Sequence, residues 1–181
     1  MVPTLAATLG VKGHRPTVGT RDDKDLLYVF AVVNLATAAL HTNLLDSPKN
    51  AKAKTGRSKT RRMPEAFAAH LRHVGRVYPA GTHERVVPVI GDAPWPRGKP
   101  TDEALAENRH SEFYRPPGDR PQLNPVERFR KKLRRRATHN RLSDTLADPK
   151  ASVRNSLRYF QTVRHKVKTL LTGRQRKTVP K

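Results

Sequence analysis

The amino-acid sequence predicts a mixed α/β or α+β domain, because strand-like and helix-like apolar patterns alternate along its 181 residues. The clearest strand is residues 26–34 (LLYVFAVVN), a nearly continuous run of β-branched and aromatic residues that is typical of a strand buried on both faces. The clearest helices follow Pro125 and Pro149, where apolar residues recur at helical spacing. The length suits one ordinary domain.

A β-hairpin is predicted at the start of the patterned region. Residues 40–45 follow the first strand closely and are interpreted as its partner. Before it, residues 1–13 predict a short strand or loose arm, and residues 15–20 predict another short strand that ends in a turn at 21–25.

A basic segment and a helix come next. Residues 46–62 are rich in Lys, Arg, Ser and Gly without an apolar period, which predicts a mobile basic loop, either a solvated linker or a phosphate contact. A helix is predicted to begin at Pro64. His70 and His73 lie on it without a third ligand, so they are interpreted as solvated or capping residues rather than a metal pair. The apolar face of this helix is formed by Phe67, Leu71, Val74 and Val77.

Short elements fill the middle of the chain. Residues 86–90 (VVPVI) predict a buried strand that Pro88 places at a sheet edge or distorts. Asp92 follows this strand, at the position where α/β folds place chemistry. An Asp that caps the next turn is the alternative. Residues 101–108 predict a short amphipathic helix, and residues 112–115 a last short strand.

The stretch 121–136 combines a helix start, one carboxylate and a dense run of cations. Asn124 is a favourable N-cap, and Pro125 suits the first helical position. Glu127 falls at the third helical position, where its carboxylate can accept from the Asn124 backbone N–H. Val126, Phe129, Leu133 and Ala137 form one apolar face. The other faces carry Arg128, Arg130, Lys131, Lys132, Arg134, Arg135 and Arg136.

The C-terminal region predicts one long helix and a tail. The helix begins at Asp148 and keeps its apolar spacing to Leu171, which makes it the longest predicted helix. One domain is therefore expected over residues 1–171. Residues 172–181 are expected to be a disordered basic tail.

The net charge of +22 indicates a polyanionic partner, most often nucleic acid. No apolar run approaches the ~18 residues of a membrane-spanning helix, so we expect no membrane partner. The absence of cysteine excludes disulfides and Cys-ligated zinc and fits a cytoplasmic location. Further candidate DNA contacts outside the stretch 121–136 are Lys59, Arg61, Arg62, Arg97 and Lys99.

Four segments together resemble the catalytic domain of mariner-like bacterial insertion-sequence transposases, of the DDE superfamily. They are residues 13–16 (GHRP), 26–34, 89–99 (VIGDAPWPRGK) and 121–136, within a resemblance that spans roughly residues 2–171. The most specific part is LNPVERF, which matches the family's leucine-asparagine-proline-hydrophobic-glutamate signature. The resemblance implies a ribonuclease-H-like fold. It also implies partners: DNA at transposon ends and target sites, a full-length transposase or a second copy, in a nucleoid-associated location.

The resemblance also implies metal chemistry. In this family two aspartates and a final acidic residue hold two Mg²⁺ or Mn²⁺ ions, which drive phosphoryl displacement on DNA. Glu127 falls on the third acidic position. Gly91 occupies the second, with Asp92 one residue later, an offset that would turn a strand side chain to the opposite face. The family's first aspartate lies upstream of the segment that matches Val2. The resemblance therefore implies that Glu127 and Asp92 are the catalytic and metal-binding residues, and that the set of ligands is incomplete.

The strand that carries the first aspartate is central in ribonuclease-H-like folds. It pairs with the hairpin on one side and with the parallel strands on the other. Without it, residues 26–45 and 86–115 share no hydrogen-bonding partner, and unpaired buried backbone groups are costly. We expect either that residues 4–9 replace this strand or that the sheet splits.

Two functions follow from these observations. The first is DNA transposition by a degenerate catalytic domain; the second is a non-catalytic nucleic-acid-binding protein that regulates a full-length transposase. A basic ribosomal protein shares the charge but does not explain the glutamate signature. An upstream reading frame joined by programmed slippage would make this chain the second half of a working enzyme.

Overall fold

A computed structural model of the chain describes residues 26–47, 59–91, 97–117, 124–138 and 147–172. The predictions for residues 1–25, for Asp92 and for most of the tail lie outside the described residues. The described elements are β1 (Leu26–Val33), β2 (Leu40–Ser47), α1 (Lys59–Val77), α2 (Lys99–Glu107), α3 (Val126–Ala137), α4 (Ala147–Thr162) and α5 (Arg164–Thr172). They form a mixed α/β fold, as predicted. No helix among them is both long and apolar enough to cross a bilayer.

The predicted β-hairpin is confirmed. Strands β1 and β2 pair antiparallel in a register that runs from Leu26 opposite Ser47 to Val33 opposite Leu40. The Asn34 side chain organises the turn, because its Oδ1 accepts from the backbone N–H groups of Ala36 and Thr37, each at 2.9 Å. Such a side-chain link is the usual role of Asn at a turn. The second strand continues two residues past its predicted end.

Both faces of the hairpin are covered, as the pattern of β1 predicts. Side chains alternate across the strand, so Leu27, Val29 and Ala31 pack on one core and Phe30 on another. The first core joins β1 and β2 to helices α3, α4 and α5. Its deepest side chains include Phe129, Leu157, Phe160 and Val167. The second core joins β1 to α1 and α2 through Met63, Phe67, Ala68, Leu71 and Ala104.

Helix α1 begins at Lys59, five residues before the predicted start at Pro64. The prediction that residues 46–62 form a loop is therefore wrong for its last four residues, and also for its first two, which lie in β2. Proline is favoured in a first turn but is accommodated here in the second. The added turn is held against the end of β2, because Arg62 Nη2 donates to the Asp46 backbone carbonyl. Helix α2 likewise begins two residues before the predicted Thr101.

Residues 86–90 and 111–114 meet as isolated parallel bridges, Val86 with Ser111 and Val89 with Tyr114, rather than as the two predicted strands. Pro88 accepts from the Tyr114 N–H at 3.0 Å but has no N–H to donate, which keeps the ladder short. Within the described residues, this pair and the hairpin share no ladder, and the sheet has two strands. Residues 4–9 lie outside the described residues, so the choice between a substitute strand and a split sheet stays a prediction.

The single long helix predicted from Asp148 to Leu171 is wrong. Helix α4 ends at Thr162 and α5 begins at Arg164, so α1, with 19 residues, is the longest described helix. At the break, the Tyr159 carbonyl accepts from both the Thr162 hydroxyl at 2.8 Å and the Val163 N–H at 3.1 Å. Apolar spacing persists across the break because Phe160 and Val167 bury into the same core.

Candidate nucleic-acid interface

The start of α3 has the cap that its sequence predicts. Asn124 Oδ1 accepts from the Val126 N–H at 3.1 Å, and the Glu127 N–H donates to the Asn124 carbonyl at 3.1 Å. Pro125 has helical angles (φ −62, ψ −22), so helical geometry begins there. Helix boundaries defined by hydrogen bonding and by backbone angles differ by a residue in this way. The cap fixes where the following side chains point.

Glu127 does not close the predicted capping box; its carboxylate contacts a cation instead. Its Oε1 accepts from Arg130 Nη1 at 3.2 Å, one helical turn along, and its side chain is 36% exposed. A cation three residues away lies on the same helical face and attracts the carboxylate more strongly than a backbone N–H. The positive end of the helix dipole also favours the anion there.

Of the two metal ligands that the resemblance implies, the described residues contain Glu127. Among the described residues, no three His, Asp or Glu side chains converge as ligands for one ion. Asp92 lies outside the described residues. Arg130 is bound to the Glu127 carboxylate, where it would compete with a divalent cation. No catalytic step through Mg²⁺ or Mn²⁺ therefore follows from the geometry that is described.

Helix α3 presents a dense cationic surface while its apolar side is locked into the first core. Phe129, Leu133 and Ala137 are each less than 10% exposed. Every basic residue of the helix is exposed. We call this surface the α3 cationic face; it consists of Arg128, Arg130, Lys131, Lys132, Arg134, Arg135 and Arg136. In the described residues, the pair between Arg130 and Glu127 is the one salt bridge on it.

At the C-terminal end of α3 the cations surround Tyr159 of α4. The Arg136 guanidinium carbon lies 4.0 Å from the Tyr159 ring centroid. Lys166 Nζ of α5 lies 2.6 Å from the Tyr159 hydroxyl oxygen. The Lys166 hydrogen bond first, and then the charges of Lys166, Arg136 and Lys132, lower the pKa of the Tyr159 phenol. We call Arg136, Tyr159 and Lys166 the tyrosine cluster.

The other predicted DNA contacts are placed elsewhere by the fold. Lys59 and Arg61 lie in the first turn of α1. The Arg62 guanidinium turns inward to the end of β2. Arg97 is exposed just before α2, and Lys99 in its first turn lies 3.9 Å from Glu103. Helices α1 and α2 pack on the face of the hairpin opposite to α3, so the predicted cations divide into two groups.

An apolar pocket of about 480 Å³ lies beside the start of α3. Its lining includes every residue of 29–36 in and after β1, residues 85–90, and Asn124, Pro125 and Val126. Successive strand side chains point to opposite faces, so an unbroken run of lining residues shows that the edge of the strand faces the pocket. Two segments without a common ladder thus border one cavity.

His70 also lines this pocket, and its predicted role as a solvated or capping residue is wrong. The side chain is 1% exposed, and neither ring nitrogen has a hydrogen-bond partner in the described part of the chain. Burial first, and then the nearby charges of His73 and His41, lower its pKa to about 4. The imidazole is therefore neutral at pH 7.

Sequence reasoning missed the tyrosine cluster, although a signal for it was present. Tyr159 directly precedes the buried Phe160, which places it at the border of the apolar face. Lys166 follows seven residues later, about two helical turns along the same side. The break at Val163 preserves this neighbourhood, because the Lys166 N–H donates to the Val163 carbonyl at 3.0 Å. The approach of Arg136 from α3 required the tertiary packing.

Comparison of the chain with protein-family models, with curated proteins and with solved structures gave no match. The likeness to insertion-sequence transposases therefore rests on the quoted motifs alone, above all on residues 123–129.

Proposed function

We propose that this protein binds nucleic acid by neutralising backbone phosphates with the α3 cationic face. The observation that carries the proposal is the exposure of all seven basic side chains on a helix whose opposite side is fixed in a core. A rigid helix holds these charges at fixed spacing, so binding loses less entropy than it would if the charges first had to be ordered. Duplex DNA offers a matching row of phosphates, and Arg binds phosphate in bidentate fashion.

The expected binding is dependent on salt and largely independent of sequence. Each neutralised phosphate releases condensed counterions, so log K falls with log salt at a slope near −0.9 per contact. About six contacts would lower the affinity roughly a thousandfold between 50 and 200 mM salt. DNA of the nucleoid is the expected partner, and occupation of transposon ends without cleavage would make the chain a competitor of a full-length transposase.

The test is a titration of a labelled 20-base-pair duplex by fluorescence anisotropy at several salt concentrations. The double variant Lys131→Gln/Arg135→Gln should reduce the steepness of the salt slope by about 2, because two contacts are lost. The matched control is Arg76→Gln/Arg109→Gln, which removes two exposed charges from the opposite side of the hairpin. Equal effects of the two variants, or wild-type binding that ignores salt, would refute the proposal.

Metal-dependent DNA cleavage is a second candidate function, proposed from the resemblance and from one observation. Glu127, the residue at the family's third acidic position, lies in the first turn of the Asn124-capped helix, beside the cationic face. The activity expected of a degenerate domain is weak or absent nicking of supercoiled DNA with Mn²⁺. Nicking that Glu127→Ala and Asp92→Ala abolish, and that Glu127→Asp partly restores, would establish it. Nicking that survives Glu127→Ala would belong to a contaminant.

A further inference from the structure

We infer that the tyrosine cluster (Arg136, Tyr159 and Lys166) is a phosphate-binding site, which anchors one backbone phosphate of the bound nucleic acid. The inference rests on the proposed function and adds to it a specific point of attachment between α3, α4 and α5. It names a site at which hydrogen bonding, as well as net charge, holds the anion.

The hydrogen-bond arrangement leaves donors without acceptors. Lys166 Nζ donates to the Tyr159 oxygen at 2.6 Å, so the proton of that hydroxyl is available for another acceptor. Arg136 stacks its guanidinium 4.0 Å from the ring centroid, an arrangement in which the N–H groups at the edge of the guanidinium stay accessible. A hydroxyl, a guanidinium and an ammonium around one point are complementary to an oxyanion.

The cations of the cluster have no carboxylate partner within the described ranges. The salt bridges there involve Arg72, Arg85, Lys99, Arg130 and Lys150. The excess positive charge at the cluster is thus not neutralised by those ion pairs. The same charges lower the pKa of Tyr159, and a more acidic phenol is a stronger hydrogen-bond donor.

The position of Tyr159 is fixed by aromatic packing. Its ring stacks edge-to-face on Phe160, with 5.4 Å between centroids, and Phe160 stacks in the same way on Phe129 at 5.2 Å. Phe129 and Phe160 are each only 2% exposed. The tyrosine therefore holds Arg136 and Lys166 near one another, so that little entropy is lost when they bind an anion. The other cations of α3 are more separate and lack this advantage.

The arrangement favours contact with phosphate over contact with a base. Stacking of a base requires an open aromatic face. Here Arg136 covers one face of the Tyr159 ring, and Lys166 Nζ lies at the hydroxyl edge of the ring, 2.6 Å from the oxygen and 5.2 Å from the centroid. We therefore expect that the site gives no preference among DNA sequences and contributes directly to the salt slope.

The test compares single variants in the same duplex titration. Arg136→Gln and Lys166→Gln should each reduce the steepness of the slope by about 0.9. Tyr159→Phe removes a donor but no charge, so it should weaken binding about fivefold at fixed salt with the slope unchanged. Lys168→Gln is the matched control, because it removes an exposed charge from the same helix α5. Lys166→Arg should keep the wild-type slope.

The possible outcomes separate the two proposals. If the wild type binds with a steep slope but Arg136→Gln and Lys166→Gln behave like Lys168→Gln, the anchor is wrong and the proposed function stands. If the wild type does not bind the duplex in a salt-dependent way, both fail. Binding to anionic phospholipid vesicles but not to the duplex would assign the site to a lipid headgroup and overturn the inference. Thermal unfolding of each variant shows whether it is folded, and Lys166→Arg provides a charge-preserving test if Lys166→Gln is not.

Discussion

At the scale of single residues, His70 shows where sequence reasoning stops. Its spacing from Phe67 and Leu71 places it on the apolar face of α1, a signal that the sequence contains. A histidine on such a face can nevertheless snorkel towards water or be buried, and only the packing of β1 against α1 decides between these. The Phe30 ring of β1 packs against the His70 ring, with 6.2 Å between the ring centroids. Its burial was therefore not predictable from the chain alone.

Burial of His70 should make the protein sensitive to acid. The ordinary pKa of about 6.5 applies in the unfolded chain, whereas the folded pKa is about 4. Between these values the unfolded state binds more protons, so the free energy of unfolding falls as the pH drops from 6.5 towards 4. For His70 alone, the loss between pH 7 and pH 5 is about 2 kcal/mol. Burial first, and then the charges of His73 and Arg164, also lower the pKa of His41. His41 should therefore add to this loss of stability.

Urea unfolding at pH 7 and at pH 5 measures this effect. His70→Phe keeps an aromatic ring in the site and has the adjoining pocket to accommodate its added volume. The variant should lose the His70 part of the pH dependence and retain the part from His41. A wild-type stability that is the same at both pH values, or a variant that is as acid-sensitive as the wild type, would show that His70 is hydrated in the folded protein.

At the scale of elements, the sequence predicts the hairpin and the central part of each helix, but not the residues at which the helices begin and end. The start of α1 depends on Arg62 reaching the end of β2, and the break between α4 and α5 lies where Phe160 and Val167 pack into one core. Neither contact has a signature in local propensity. The cap of α3 was predictable because Asn124 acts through its own neighbouring backbone.

The link between β2 and α4 should contribute measurably to stability. Lys150 Nζ donates to Asp46 Oδ2, and the two side chains are only 30% and 39% exposed. Asp46 Oδ1 is buried without a described partner, so removal of the lysine leaves a poorly solvated carboxylate. Lys150→Met should lower the free energy of unfolding by about 1 kcal/mol. This figure already allows for screening by water, because the pair is partly exposed.

A matched control for this variant is Lys99→Met. Lys99 is paired with Glu103 at 3.9 Å in a single helix, but its side chain is 88% exposed, so water screens the pair. Urea unfolding of both variants at pH 7 should show a loss for Lys150→Met and almost none for Lys99→Met. Equal stabilities of the two variants would mean that the Asp46 contact contributes nothing beyond an exposed ion pair.

At the scale of the whole molecule, the hairpin is the element that both cores share. The α/β class was predictable because strand-like and helix-like apolar patterns alternate along the chain, and this alternation does not depend on how the elements pack. The arrangement of the sheet was not, because strand pairing joins distant residues and leaves no periodic trace in the sequence. In the described residues, β1 pairs with β2, whereas residues 86–89 bridge to residues 111–114.

Hydrogen exchange tests whether the sheet is split in solution. The edge of β1 that faces β2 is paired, whereas the other edge faces the pocket that residues 85–90 border. Amides alternate between the two edges of an antiparallel strand, so residues 27–33 should show slow and fast exchange at alternating positions. The amide of Ile90, which donates to Tyr114, should be slow, while that of Val87 should be fast. Uniformly slow exchange through residues 27–33, together with slow exchange at Val87, would mean that a further strand pairs with both edges in solution.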